Sequence, residues 1–414
     1  MRTHLNDTAG VVNHKALPRS PLGLRKERTP KMKEPHREPT YKRFITGPIE
    51  RFDERNTGYS RADRGEIPGP RDGLEQGLKA NLETGRPGFT REDYALTCAG
   101  RSIDTIVRQI AYSRDSMPTR WIISADRMTV ADPAKMSEKV KKVGKWFGAT
   151  LVGICELNRQ WLYSRWGDHN VKLAEGFSVG DPVELPEEYR YAVVMAIEMD
   201  YIDIQRSPAV VPAIDLGYSK MAFAAASLAE FIRCLGYHAI PSGNDLGLTI
   251  PMAVDAGLGE LGRNGLLITE NYGPRVRLCK VFTDLPLVAD EPIDLGVQHF
   301  CEICGKCAKH CPGQALQRGE RTDQAIDIST NQGLLKWPVN SEECLSWWYK
   351  SGTTGCANCI RVCPYNKPQG LLHVFVRGIL KRTSLFDRAI LKGDDLMGYG
   401  DQILHETPSE KCRV

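Results

Sequence analysis

Thirteen cysteines are many for a chain of 414 residues, and eight of them fall between Cys301 and Cys363. Cys301, Cys304 and Cys307 recur every third residue, and Cys311 follows just before Pro312. A second set holds Cys344, then Cys356, Cys359 and Cys363, the last just before Pro364. A cubane iron–sulfur cluster needs four thiolates around it. A tight loop with three closely spaced cysteines supplies three corners. In two-cluster ferredoxins the fourth is the cysteine ahead of the proline in the other half. The spacing therefore predicts one [4Fe-4S] cluster on Cys301, Cys304, Cys307 and Cys363. A second falls on Cys311, Cys344, Cys356 and Cys359. Zinc is the competing reading, but four-thiolate zinc sites use paired Cys-x2-Cys knuckles. Crossed ligands set two clusters side by side, which suits an electron relay in a reduced environment.

Clusters carry electrons and rarely make or break the substrate's bonds. No flavin or nicotinamide fingerprint is present to take those electrons. The second cysteine set departs from a compact triple, because Cys344 lies well upstream of Cys356. Residues 345–355, with Trp347, Trp348 and Tyr349, read as an excursion whose aromatic rings wall a pocket or pack over a cluster. The glycine-rich run 256–262 lacks the acidic residue and helix of a phosphate loop. It reads as a turn, or as a loop close against a cofactor or another backbone.

The elements that position these residues follow from periodicity. Asp132 before Pro133 predicts a helix start, with the helix running to about Gly148 and burying Met136, Val140, Val143 and Trp146 or Phe147. Short apolar runs at 150–154, 191–197, 238–240 and 278–283 predict strands, and 219–234 predicts a helix stopped by Gly236. Their alternation argues for an α/β core. The early residues are rich in Pro, Arg, Lys and Glu. The division expected is an extended arm over 1–60, wrapped on the body, then a core over 61–290 and a two-cluster ferredoxin-like segment over 291–370. A segment over 371–414 packs on the core. The basic residues Arg25, Lys26, Lys31 and Lys33 read as a solvated stretch, or as a dock for an acidic carrier or membrane surface.

A hydrophobic fraction of 41% is enough for a sizeable core, and a net charge of +4 gives no argument for nucleic-acid binding. No apolar run reaches the ~18–20 residues that span a bilayer. No secretory start and no twin-arginine pair stand near Met1, so the expected location is the cytoplasm. The alternative is the exoplasmic face of the membrane, had a twin-arginine signal been removed.

Between about residues 120 and 400 the chain resembles the corrinoid reductive dehalogenases. The matching stretches are 157–164, 236–241, 255–260, 273–278, 280–284 and 394–400, with both cysteine motifs in register. The resemblance implies an α/β (α+β) fold, with a nitroreductase-like core that holds base-off cobalamin. It implies replacement of halogen by hydrogen on an organohalide, by Co(I) cobalamin reduced through the two clusters. By the same resemblance Tyr218, Asn244 and Arg277 lie over the cobalt. Tyr218 would donate the proton, Arg277 would favour the phenolate, and Asn244 would orient the halogen or the hydroxyl. His238, Ile240, Ser242, Gly259 and Trp348 are expected on the cofactor-binding side. No Asp-x-His-x-x-Gly motif is present, and Asp168-His169 has the wrong spacing, so no histidine ligand to cobalt is expected. His238 reads as a packed or hydrogen-bonding group.

The expected partners are the halogenated substrate and an external electron donor: a ferredoxin, a flavodoxin or a membrane partner. Two alternatives stand beside this. Epoxyqueuosine reductase, a related cobalamin enzyme acting on a tRNA base, would carry a catalytic aspartate motif where Ser207-Pro208-Ala209 stands, and a basic face for tRNA. A non-catalytic corrinoid or electron-transfer protein would leave Tyr218, Asn244 and Arg277 without a shared pocket.

Overall fold

The structure is a computed structural model. It describes residues 38–67, 71–112, 127–171, 176–353 and 355–404, all within one unit, Arg37–Val414. The basic residues Arg25, Lys26, Lys31 and Lys33 lie outside the described residues.

The first helices are α1 (Gly58–Asp63), α2 (Arg71–Thr84), α3 (Arg91–Tyr112) and α4 (Pro133–Trp146). Then come β1 (Leu151–Glu156), β2 (Tyr191–Glu198), α5 (Tyr201–Ile204), α6 (Pro212–Cys234), β3 (Ala239–Ser242) and α7 (Thr249–Asp255). A small hairpin, β4 (Glu260–Leu261) and β5 (Leu267–Ile268), precedes β6 (Val276–Thr283). The cluster segment carries α8 (Val297–Cys304), α9 (Lys306–Lys309), α10 (Ser341–Ser351) and α11 (Asn358–Arg361). Two last helices are α12 (Leu371–Leu380) and α13 (Asp387–Leu396).

The main sheet runs β1-β2-β6-β3, and every pairing is antiparallel. Helices and strands alternate along the chain, yet neighbouring strands reverse direction, so this is an α+β sheet rather than a stack of parallel crossover units. Both faces are covered. Val193, Met195 and Ile197 of β2 pack with Met221, Leu228 and Ile232 of α6. Ala192 and Val194, pointing the other way, pack with Met252 and Ala253 of α7. Two buried faces are why these strands read as continuous apolar runs.

Local chemistry explains the element boundaries. The Asp132 carboxylate accepts from the Ala134 and Lys135 N–H groups at 3.1 Å, capping α4 as predicted. Trp146 at its end is 80% exposed, and Phe147 packs on the core instead. Helix α6 begins at Pro212, about two turns before Ser219, because proline is suited to the first helical position. Tyr218 therefore lies inside the helix. Strand β3 runs through Pro241, which the sheet tolerates because β3 is an edge.

The glycine-rich run lies against backbone. A Cβ on Gly257 (φ +69°) would come 2.4 Å from the Glu291 carbonyl, and one on Gly259 would come 2.2 Å from the Ile268 carbonyl. Residues 345–351 are not an outward excursion but most of α10, capped by Asn340. Residues 38–60 lie on the body: the Tyr41 hydroxyl donates to Asp255 at 2.7 Å, and Glu54 is buried. Helices α12 and α13 pack on the cluster segment, where Lys306 and Lys367 each meet Asp394 at 2.6 Å. The segment from 371 on also touches the core, at Glu270 through Lys381, at Ile268 through Leu380, and at Arg206 and Val210 through Gln402 and Leu404. Among the described residues no helix is long and apolar enough to cross a membrane.

Candidate active site

Three separate elements bring Tyr218, Asn244 and Arg277 together. Tyr218 is buried in the second turn of α6. Arg277 stands on β6, paired in register with Ile197. Asn244 sits in the loop between β3 and α7. The fully buried Lys280 staples that loop: its ammonium donates to the Gly243 and Asp245 carbonyls at 2.8 and 2.9 Å, and to the Thr249 hydroxyl at 2.9 Å. The Ser242 hydroxyl adds a bond to the Asp245 carbonyl at 2.7 Å. As a result the Tyr218 oxygen accepts from Asn244 Nδ2 at 3.4 Å and from an Arg277 guanidinium N–H at 3.3 Å. The Arg277 guanidinium also lies 4.3 Å from the Tyr218 ring centre.

Gly217 makes room for this contact, since a Cβ there would come 2.8 Å from Arg277 Cγ. Gly217→Ala should therefore separate stability from function. Alanine favours the helix by up to about 1 kcal/mol, yet it must push Arg277 off the phenol. Against that gain stands about 1–3 kcal/mol for overpacking, so the expected result is a melting temperature unchanged or lower by a few degrees, with turnover reduced at least about tenfold, checked by thermal melts and steady-state rates.

These three residues line one wall of a cavity of about 960 Å3, near the top of the usual range for ligand pockets. Tyr59, Trp161, Trp348 and Tyr349 supply much of the rest. Tyr59 is 40% exposed, but that surface faces the cavity, and burial raises its phenol above the ordinary range. Glu54 and Lys336 also border the space. Burial pushes the Glu54 carboxyl up to about 7, against the bonds it accepts from Asn170 and the Gly167 N–H. Burial likewise lowers the Lys336 amine to about 8. Both groups are thus pushed toward their neutral forms. Two buried donors on the wall, Trp348 Nε1 and Arg277 Nε, have no protein acceptor. A large, flat ligand edged with amide carbonyls fits such a space and satisfies such donors, and a corrin ring has that character.

The cysteines gather in two groups. Cys301, Cys304, Cys307 and Cys363 line one small space with Phe300 and Tyr365. Burial pushes the Cys344 thiol up to about 12, and its charged neighbours are Cys356 and Cys311. The Cys359 thiol is raised by burial and then by Cys356, with Cys307, Cys344 and Cys311 also near, so the two groups adjoin. Such thiols ionise when iron takes the thiolate. Among the described residues no three His, Cys, Asp or Glu side chains close up on a single ion, a different geometry from thiolates spread around a cubane. Helix α10 carries Cys344 and, one turn on, Trp348, so a cysteine of the second group and the cavity wall share a helix face.

Arg263 stands beside the first group. It donates to the Cys301, Gln317 and Gly319 carbonyls at 2.9–3.0 Å, and Cys307, Cys301 and Cys304 act on its charge. Arg263→Gln removes a cation that favours the more negative, reduced cluster. The reduction potential of that cluster should fall while the other stays put, as read by an EPR-monitored redox titration.

Not every residue singled out in the sequence reaches the cavity. Trp348 does, but His238, Ile240, Ser242 and Gly259 are not among its lining residues. His238 is exposed: its backbone N–H donates to Asp284 at 2.7 Å and its ring sits 6.1 Å from Tyr189. Ile240 pairs with Phe282 and packs in the α7-side core. Ser242 supports the Asn244 loop, and Gly259 lies against the Ile268 carbonyl. His169 does border the cavity, its ring stacked on Tyr59 at 5.1 Å and its Nδ1 3.2 Å from Asp63. Arg101 matters here without any motif to mark it, and Lys280, though inside the matching stretch 280–284, gains its role only from contacts between distant elements.

Residues 300–366 match the family model of a 4Fe-4S double cluster binding domain. The tetrachloroethene reductive dehalogenase of Dehalobacter restrictus is 38% identical over 302 residues, covering 64% of this chain and 54% of that protein. The tetrachloroethene reductive dehalogenase of Sulfurospirillum multivorans is 36% identical over 346 residues, covering 76% of this chain and 69% of that protein. The chain belongs to the reductive dehalogenase family. It spans about half the length of the first such relatives it matches. A catabolic reductive dehalogenase solved with 3-bromo-4-hydroxybenzoic acid shares the fold. That match has a TM-score of 0.67 at 23% identity and covers 88% of this chain and 48% of that one. As a reductive dehalogenase family member, the chain has Tyr218, the cavity and the cysteine groups in one continuous arrangement.

Proposed function

We propose that this reductive dehalogenase family member replaces halogen by hydrogen on an organohalide, with cobalamin in the cavity, two [4Fe-4S] clusters as the electron relay and Tyr218 as the proton donor. The observation that carries this reading is the Tyr218 oxygen, held by N–H groups of Arg277 and Asn244 on the wall of a cavity that α10 joins to the cysteine groups. The organohalide takes up two electrons and one proton and gives the hydrogenated product and a halide ion. A corrinoid held in the cavity would supply the low-potential metal needed for reductive cleavage of the carbon–halogen bond.

The chain's own residues do the rest. Tyr218 gives its proton to the carbon, and the Arg277 guanidinium holds the negative charge left on the oxygen. Asn244 fixes the direction of that oxygen, and the Lys280-stapled loop keeps Asn244 in place. Trp348, Tyr59 and Trp161 keep bulk water from the reacting carbon. The Cys301 group and, beside the cavity, the Cys344 group would hold the two clusters, which would supply a one-electron path from an external carrier, a ferredoxin, a flavodoxin or a membrane partner, entering on the Cys301 side. The cytoplasm, where thiols stay reduced, is the proposed compartment.

Protein loaded with cobalamin and clusters, reduced by methyl viologen and given tetrachloroethene as the first substrate, should release chloride. Release should require both the corrinoid and the clusters. Fully loaded protein that releases no halide from any organohalide in a broad panel would overturn the reading.

A further inference from the structure

Arg277 is not the only cation at the phenol. The Arg101 guanidinium lies 3.9 Å from the Tyr218 ring centre, nearer than Arg277 at 4.3 Å, and Arg101 also borders the cavity. Its position is built by the packing of α3 on α6. Gly100 lets the two backbones approach, since a Cβ there would sit 3.0 Å from the Leu216 nitrogen. The Ser219 hydroxyl donates to the Gly100 carbonyl at 2.5 Å and accepts from the Asp104 N–H at 3.1 Å. Arg101 pairs with Asp104 at 3.3 Å and with Asp215 at 3.1 Å. Asp215 is one turn before Tyr218 on α6, so a single side chain spans the carboxylate and the ring.

We propose that Arg101 is a second positioning residue for the proton donor, sharing with Arg277 the task of holding Tyr218 and stabilising the charge its oxygen acquires. This rests on Tyr218 being the donor. In that step the Tyr218 O–H bond breaks and a C–H bond forms on the substrate carbon. Two electrons come from the external carrier, halide leaves, and the phenoxide later takes a proton from water. A guanidinium against the ring makes the phenoxide cheaper to form. The other groups facing Tyr218 are Arg277 and Asn244, Tyr59 of α1, Asp104 of α3 and Asp215 on its own helix. Asp215 and Asp104 oppose the Arg101 charge, which gives the test two directions.

The readout is the phenolate absorbance of the loaded protein titrated with base, with the Tyr218 step identified as the one missing from Tyr218→Phe. In Arg101→Gln that step should move to higher pH by about one unit, a change of about tenfold in phenolate fraction. Arg101→Lys, which keeps the charge, should bring it part of the way back. Asp215→Asn, which leaves Arg101 opposed by Asp104 alone, should move it to lower pH, and by less in an Arg101→Lys background, where the planar cation over the ring is gone; that comparison decides the matter even where Arg101→Gln does not fold. The pH profile of halide release should shift with the same sign. A Tyr218 step unmoved in both the Gln and the Asn variants would overturn the inference. If the wild type released no halide at all, the proposed function would fail, while the titration would still decide the role of Arg101.

Discussion

Tyr218→Phe should lower halide release by a factor of about 10² to 10⁴, the usual contribution of a positioned general acid, and leave the rest of the protein intact. The phenylalanine ring fills the same space in α6 and keeps both guanidinium contacts, at 3.9 Å from Arg101 and 4.3 Å from Arg277. What disappears is one oxygen, the acceptor of the Arg277 and Asn244 bonds. Those two donors would then face the cavity with less to hold, which leaves the site strained electrostatically rather than unfolded. Iron content, corrinoid uptake and the rate of cluster reduction should match the wild type. The measurement is halide release under reduced methyl viologen beside iron and cobalt analysis of the same preparation. A variant that retained full turnover would show that the proton comes from elsewhere, with Tyr218 reduced to a packing residue.

The second large effect concerns the crossing of the cysteines. Cys363 belongs by sequence to the second set but lines the space shared by Cys301, Cys304 and Cys307. Its thiol is raised by burial and then by Cys301 and Cys304. Cys363→Ala should therefore cost the first cluster, although its nearest neighbour in the chain motif is Cys359. Iron should fall from about eight to about four atoms per chain, and the EPR spectrum of the reduced protein should lose the coupling between two nearby clusters. Halide release with an external donor should be abolished, because electrons no longer enter through the Cys301 group. Cys344→Ala should do the converse, removing the cluster beside Trp348 and the cavity. Were Cys363→Ala to lose the Cys344 group's cluster instead, the assignment would be inverted.

The cysteine spacing by itself fixed the largest part of the chemistry. A thiolate motif is local, and its ligand types and intervals are set by the cluster rather than by the fold around it. The strands at 151–156, 191–198 and 276–283 were equally legible, because a sheet buried on both faces leaves unbroken apolar runs, and Asp132-Pro133 marked α4 by capping chemistry alone. The resemblance named Tyr218, Asn244 and Arg277, but only the packed structure shows why they meet. The antiparallel register sets Arg277 across from Ile197, Gly217 lets it pass over α6, and Lys280 ties down the loop under Asn244.

Other features were beyond the sequence for the same reason. Residues 345–351 belong to α10, and helical spacing is what turns Trp348 from a loop aromatic into a cavity wall one turn from Cys344. Ile240 and Ser242 lie on an edge strand and His238 just ahead of it, with contacts to Phe282, Asp245 and Asp284, and Gly259 clears the Ile268 carbonyl. Arg101 carries no motif at all: its place at Tyr218 depends on α3 lying close on α6 through Gly100 and Ser219. Ligand chemistry is written in local intervals of the chain. Which side chain faces which cavity is decided by packing between elements far apart in sequence, and no interval records it.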